Sequence, residues 1–345
     1  MAGKILRPLR DVFLGDAAAV VGHEEAKGPL GDAFDLHDPK DDTFGKDTWE
    51  KAESEMQRLA VNTLLAKRGL TPEEIDWLFA GDLLNQCTAS GYGLLSFDIP
   101  YMGLYGACST AAEGLLLGTL TVGAYGGRAV TSASSHNCSA ERQFRFPMEY
   151  GSQRPPTAQW TVTGAGAFFL TGRREETEEG APRIAEVMPG IAVDRGITDA
   201  NNMGAAMAPA ALSTLLRYFS ESGRRPDSFD GIFTGDLGAE GSSILLEFAY
   251  AEGYDLSPVL RDCGTLIYDR KTTDKHAGGS GCGCSAVVLA GHLLRELRAG
   301  RMKDILFVGT GALLSPMSVQ QGQSIPGVAH LVRITGVEKE ETACE

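Results

Sequence analysis

No stretch of this sequence is apolar for long enough to cross a bilayer, so no transmembrane helix is predicted. Positive charge is also scarce. Lys and Arg together number 31 against 45 Asp and Glu, a net charge of −14, which argues against nucleic acid or anionic lipid as a partner of the bulk surface. A small local cationic pocket remains compatible with that balance. Histidine is sparse, with six residues, and His23 and His37 sit in loop-rich sequence with no cysteine or carboxylate frame. The Cys282-Gly-Cys284 spacing is not that of a zinc knuckle, so no metal site is expected. The glycine-rich run Gly278–Gly283 lacks the Lys-Ser/Thr of a phosphate loop and the strand and acid of a dinucleotide fingerprint, so no cofactor is expected. Met1–Arg10 has no apolar core of a secretory leader. Seven cysteines, an odd count, then point to free thiols in a reducing compartment.

What the chain does have is one unit written twice. Residues 76–83 read Asp-Trp-Leu-Phe-Ala-Gly-Asp-Leu, and residues 230–237 read Asp-Gly-Ile-Phe-Thr-Gly-Asp-Leu. Gly106-Ala-Cys108-Ser109 opens one helix-like run, and Cys282-Gly-Cys284-Ser285 opens another. Two halves, 1–183 and 184–345, each alternating short apolar strands with helices, predict a layered α/β fold around one cleft.

Local patterns place the elements. Trp49, Ala52, Met56, Leu59, Ala60 and Leu64 recur at helical spacing, with Gly69 as the stop. Thr71-Pro-Glu-Glu reads as a capped helix start. Trp77–Ala80, Arg128–Ser134, Thr161–Leu170, Gly231–Thr234, Ile305–Val308 and Val328–Thr335 read as strands, with Ala17–Gly22 a further short one. The 109–124 run is apolar all round except for Glu113, which predicts a central helix covered on most sides. Ala206–Ser222, Ser242–Ala251 and Ser285–Leu297 read as helices, and 135–160 as a long polar excursion.

The corner Gly106-Ala-Cys108-Ser-Thr-Ala-Ala-Glu-Gly resembles the nucleophile corner of thiolases and β-ketoacyl synthases. Lys27–Gly31, Ala80–Gln86, Ser134–Asn137, Ala140–Arg145, Ala206–Ala210, Ala277–Cys282 and Gly309–Pro316 extend the likeness along nearly the whole chain. With them the sequence resembles the stage V sporulation protein AD family, a branch of the thiolase-like superfamily. The resemblance implies a thiolase-like fold of two similar halves in α/β/α/β/α layers, and a homodimer. It further implies binding of dipicolinate (pyridine-2,6-dicarboxylate) without catalysis, in support of its uptake into the developing spore. The implied partners are other proteins of the stage V sporulation A transport system. The implied place is peripheral, at the cytoplasmic face of the forespore or spore inner membrane, with membrane contact only through those partners.

The residues allow competing readings. A thiol at a helix start faces unpaired N–H groups and the positive end of the helix dipole, which favours a thiolate and acyl transfer. The same corner suits a carboxylate ligand, and a buried cysteine can also be plain core. An acyltransferase or condensing enzyme would pair Cys108 with His276, but the His-Pro and His-Thr-Gly-Thr strings of such enzymes are missing. His292 and His330 read as ordinary structural or surface residues. For a dicarboxylate, arginine and lysine are the fitting donors. Lys27, Arg142 and Arg145 are the candidates, with His136 and Asn137 as further donors and Phe144 or Phe146 to stack on a ring. The 135–160 excursion, which carries all of these except Lys27, reads equally as pocket wall or dimer interface. Asp82 ends its strand as an expected orienting group for a cation, Asp236 as a structural partner, and Asn201 and Asn202 as cleft-facing loop residues.

Overall fold

The computed structural model of the protein describes residues 4–144 and 154–336. Its main sheet runs in the order Leu260–Asp262, Gly231–Thr234, Asp304–Ala312, Gly327–Thr335, Arg183–Met188, Phe13–Val21, Gly164–Thr171, Arg128–Ser135, Trp77–Gly81, Tyr101–Leu104. Outward from the centre, each half pairs antiparallel, antiparallel, parallel, parallel. The two halves join at the Phe13–Arg183 pair, with a Leu6–Val187 bridge further along. The second half therefore repeats the first strand for strand, with Trp77–Gly81 and Gly231–Thr234 in matching places.

Burial explains the layers. The Thr110–Tyr125 helix packs on Arg128–Ser135 of its own half and on Asp304–Ala312 and Gly327–Thr335 of the other. Leu115, Ala112 and Val122 are fully buried in it. Shielding a leucine of this kind contributes about 1.5–3 kcal/mol. The Cys282–Val288 helix likewise packs on Gly164–Thr171, Arg128–Ser135 and Phe13–Val21 of the first half. Trp49–Arg68 covers the outer face of the first sheet half and Met203–Ser222 that of the second. The result is an α/β/α/β/α stack with two central helices.

Several elements differ from the sequence reading. The first strand spans Phe13–Val21, longer than Ala17–Gly22. Trp160–Thr161 separates from Gly164–Thr171 and pairs with Gly279–Ser280 in a two-stranded ribbon. The last central helix starts at Cys282, not Ser285, and passes through a π turn at Leu289–Leu293. Gly281 holds φ 101°, as Ala107 holds φ 53°, so Cys282 rather than Cys284 is the counterpart of Cys108. Among the described residues no helix is long and apolar enough to cross a membrane.

Candidate functional site

The site is built at the strand ends where the two halves meet. The chain turns into the Thr110–Tyr125 helix through Ala107–Ser109, with Ala107 in the left-handed region. That conformation costs of order 1–3 kcal/mol for a residue other than glycine and persists only where its surroundings enforce it. Here the enforcement is local. The Thr110 hydroxyl donates to the Ala107 carbonyl at 2.7 Å and the Ser109 hydroxyl to the Gly106 carbonyl at 2.6 Å. The turn aims the Cys108 side chain into a cavity of about 290 Å³.

The cavity wall is mostly apolar: Leu83, Ala107, Ala140, Phe144, Met203, Ala312, Leu313 and Leu314. Polar groups are few: Asn85, Tyr105, Cys108, Glu141, Thr161, Ser280 and Ser315. Thr161 and Ser280 come from the small ribbon. Gln143 fixes the opposite wall, since its Nε2 donates to the Leu83 carbonyl and its Oε1 accepts from the Asn85 N–H. The Tyr105 hydroxyl donates to Asn85 Oδ1 at 3.1 Å. Met203 begins the 20-residue helix Met203–Ser222, so two helix N-termini converge on this space. Their first N–H groups and dipoles attract negative charge. Asn202, expected to face the cleft, caps that second helix by accepting from the Ala205 N–H.

Near Cys108 lies Asp236, fully buried and close enough for its charge to act on the thiol. Its Oδ2 accepts from the Gly281 N–H at 2.8 Å and its Oδ1 from the Thr310 hydroxyl at 2.9 Å. Burial pushes its carboxyl up to about 7. Burial and, second, the Asp236 charge push the Cys108 thiol well above its ordinary range. This corrects the expectation of a thiolate. A helix end stabilises an anion by about 0.3–2 kcal/mol, and here desolvation and a neighbouring acid outweigh it.

The other sequence candidates scatter. Lys27 is exposed and pairs with Glu24 at 2.9 Å, away from the cavity wall. Arg142 pairs with Glu50 and also points elsewhere. Arg145 and Phe146 lie outside the described residues. His136 is buried, its Nδ1 accepting from the Cys138 N–H while Nε2 faces the Asp42 carbonyl at 2.9 Å. That fixes a neutral ring with its hydrogen on Nε2, and burial lowers its pKa. Asn137 supports the wall indirectly by donating to the Thr161 carbonyl at 3.2 Å. His276 is exposed and does not join Cys108. His330 accepts from the Gly190 N–H, and burial lowers it to about 4, in keeping with a structural role.

Asp82 also departs from its expected part. It orients no cation; Oδ1 accepts from the Leu84 N–H, and Oδ2 from both the Ser90 N–H and its hydroxyl. It therefore shapes the loop that carries Leu83 and Asn85. Sequence reasoning missed Tyr105 and Met203, which carry no local signal of a site, and did not single out Ser280 within the Ala277–Cys282 string. Among the described residues no group of His, Cys, Asp and Glu is placed to hold a metal ion.

Comparison with known proteins places this geometry. Solved structures that match in fold include an OleA variant of Xanthomonas campestris, with a TM-score of 0.58 at 13% identity, covering 95% of this chain and 98% of that one. Human mitochondrial 3-ketoacyl-CoA thiolase in complex with CoA gives 0.57 at 12%, covering 96% and 99%. At such identities the likeness establishes the thiolase-like fold alone. In sequence, the Stage V sporulation protein AD of Bacillus subtilis (strain 168) is 42% identical over 323 residues, 92% of this chain and 93% of the relative. The family model described as Stage V sporulation protein AD (SpoVAD) matches residues 9–335, and the chain belongs to that family.

Proposed function

We propose that this protein binds dipicolinate without transforming it, in the cavity at the Cys108 corner, and supports its uptake into the developing spore. The observation that carries the reading is a buried Cys108 on a described cavity wall that brings it no histidine, lysine or arginine. A Cys nucleophile needs a base or cation to make its thiolate. Burial and the Asp236 charge hold the Cys108 thiol up rather than lowering it, and no cation on the described wall offsets them.

What remains suits recognition of a small planar anion. Leu83, Phe144, Met203 and Leu314 offer apolar walls for a ring, and Tyr105, Thr161, Ser280 and Ser315 offer hydroxyls. The two helix N-termini supply positive potential. A few polar groups in an otherwise apolar space is the usual build of a small-ligand site, and the volume stands near the small end of the customary range of roughly 300–1,000 Å³. Membership of a sporulation family supports this reading, in which the protein acts peripherally at the spore inner membrane with the other stage V sporulation A proteins as partners.

A second copy of the chain completes the assembly. Among the described residues the Tyr101–Leu104 strand closes one end of the sheet with its outer edge unpaired; Tyr105, which follows it, and Tyr92 and Leu95, which precede it, are exposed. Such an edge is a template for symmetric pairing with an identical strand.

Calorimetric titration of dipicolinate into the full chain, alongside Ala140→Trp to fill the cavity, tests the ligand assignment. One-site saturable binding, lost in the filled variant, is the expected result. Absence of binding, together with rapid acylation of Cys108 by a thioester, overturns it in favour of an acyltransferase.

A further inference from the structure

Two separate segments of the cavity wall are tied together by one side chain. The 83–87 loop brings Leu83 and Asn85 to the wall, and the Asn137–Phe144 helix brings Ala140, Glu141 and Phe144. Gln143 of that helix does not line the cavity, yet both ends of its amide are bonded to the main chain of the loop. We propose that Gln143 is the latch of the cavity mouth: with both bonds made the loop stands against the helix, and with both broken it swings out to pass the ligand. The inference rests on the ligand reading above and adds the control of entry and exit.

The geometry singles out this loop. Gln143 Nε2 donates to the Leu83 carbonyl at 2.9 Å, and Oε1 accepts from the Asn85 N–H at 2.8 Å. One amide thus grips two points of the loop in complementary sense. The exposed wall residues, Asn85, Tyr105, Leu313 and Ser315, mark the mouth. Cys108, on the same wall, is only 5% exposed, so the thiol lies inside it.

The same loop holds strain. Gln86 and Cys87 follow Asn85 with φ 59° and 51°, two consecutive left-handed residues that are not glycine. Such conformations persist only where neighbouring contacts enforce them, and they gather in segments that switch. The base of the loop is anchored. Asp82 accepts from the Ser90 N–H and hydroxyl, and the Cys87 thiol donates to the Leu104 carbonyl at 3.1 Å. The tip at Asn85 and Gln86 is exposed, and the side chains of Gln143 and Tyr105 reach Asn85 from other elements. A fixed base and a tip held by side-chain bonds is the build of a loop that opens locally.

Because the same two bonds close the mouth over an empty or a filled cavity, removing them raises the open population of both states by one factor. Entry and exit speed up together, and the dissociation constant stays where it was. Two neutral hydrogen bonds of ordinary net strength correspond to a factor of roughly 5–150.

The test uses Gln143→Met in the full chain, which keeps the length of the side chain and loses both bonds. Arg142→Ala is the control on the same helix, since Arg142 pairs with Glu50 and is off the cavity wall. Cys108 meets solvent through the cavity, so timed alkylation by iodoacetamide, read by peptide mass at Cys108, reports opening without any ligand. Gln143→Met should quicken that labelling roughly 5- to 150-fold, and Arg142→Ala should leave it unchanged. Stopped-flow mixing with dipicolinate should give association and dissociation rate constants that both rise in Gln143→Met at an unchanged Kd. Equal labelling of Gln143→Met and the unmodified chain overturns the latch. The same acceleration in Arg142→Ala also overturns it, because the effect then belongs to the helix as a whole. A Kd that rises at an unchanged association rate overturns it too, since Gln143 would then only support the wall. Absence of dipicolinate binding to the unmodified chain overturns the ligand reading, and the labelling comparison still decides the latch.

Discussion

The Ser139 hydroxyl donates to Glu53 Oε2 at 2.7 Å, in a place where neither residue meets solvent. Ser134 donates to the other oxygen at 3.1 Å. Burial and, second, the Asp82 charge push the Glu53 carboxyl up to about 8. A folded-state value above the unfolded 4.5 means that the native state keeps a proton the unfolded chain has lost. The stability from this group is full below pH 4.5 and is lost as pH rises toward 8. Glu25 and Asp236, each raised to about 7, act in the same direction. Thermal denaturation should therefore show a lower Tm near pH 9 than near pH 6, and Glu53→Gln should reduce that drop. A Tm that rises over the interval refutes the assignment.

The close approach of the second half to the Cys108 corner makes a second expectation. A Cβ on Gly311 would stand 2.8 Å from the Gly106 carbonyl and 3.0 Å from the Ser109 nitrogen; one on Gly309 would stand 2.5 Å from the Ala112 Cβ. The obstacles to Gly311 belong to the turn that aims Cys108, and the obstacle to Gly309 to the helix which that turn opens. Gly311→Ala should cost about 1–3 kcal/mol in chemical denaturation. It should also weaken dipicolinate binding, since the turn must move. Unchanged stability and affinity would show that the corner yields without consequence.

Thiol reactivity separates the binding reading from the enzymatic one. A raised Cys108 pKa leaves almost no thiolate at neutral pH. Timed alkylation at about pH 7.5, read by peptide mass, should find Cys108 modified far more slowly than a free cysteine peptide. The Asp236→Asn variant removes the opposing charge and should quicken the reaction. Rapid labelling of Cys108 in the unmodified chain would contradict the neutral thiol.

The sequence showed the architecture where periodicity or capping was strong. Trp49–Arg68 followed from its apolar spacing and Gly69, and the Thr71 start is a true capping box. Tyr101–Leu104 and Leu260–Asp262 escaped because short edge strands carry little periodicity. Arg183–Met188 escaped beside a charged turn. At the site, Cys108 was legible from its corner, but its protonation was not, because the deciding neighbour, Asp236, comes from the other half. The cations Lys27 and Arg142 were read by residue type, whereas Glu24 and Glu50, which pair with them, are set by tertiary placement. Leu83, Asn85, Ala140, Glu141 and Ala312–Ser315 fall inside strings that carried the family likeness, so the wall was present in the sequence without its geometry.

Self-association supplies the last test. Tyr92 is 76% exposed and Leu95 73% exposed, both in the segment leading into the Tyr101–Leu104 strand, whose outer edge is unpaired among the described residues. Large apolar side chains left in water next to an open strand edge favour association, and a two-fold arrangement satisfies both with one surface. Because these side chains are largely free of the core, Leu95→Asp and Tyr92→Asp should leave the Tm within about 0.5 kcal/mol equivalent of the unmodified chain. Analytical ultracentrifugation should find the unmodified chain dimeric and the double variant monomeric. Tyr105 follows this strand and holds Asn85 of the cavity wall, so the monomer should also bind dipicolinate more weakly. A double variant that remains dimeric would move the interface to another face, and a monomeric unmodified chain would remove it.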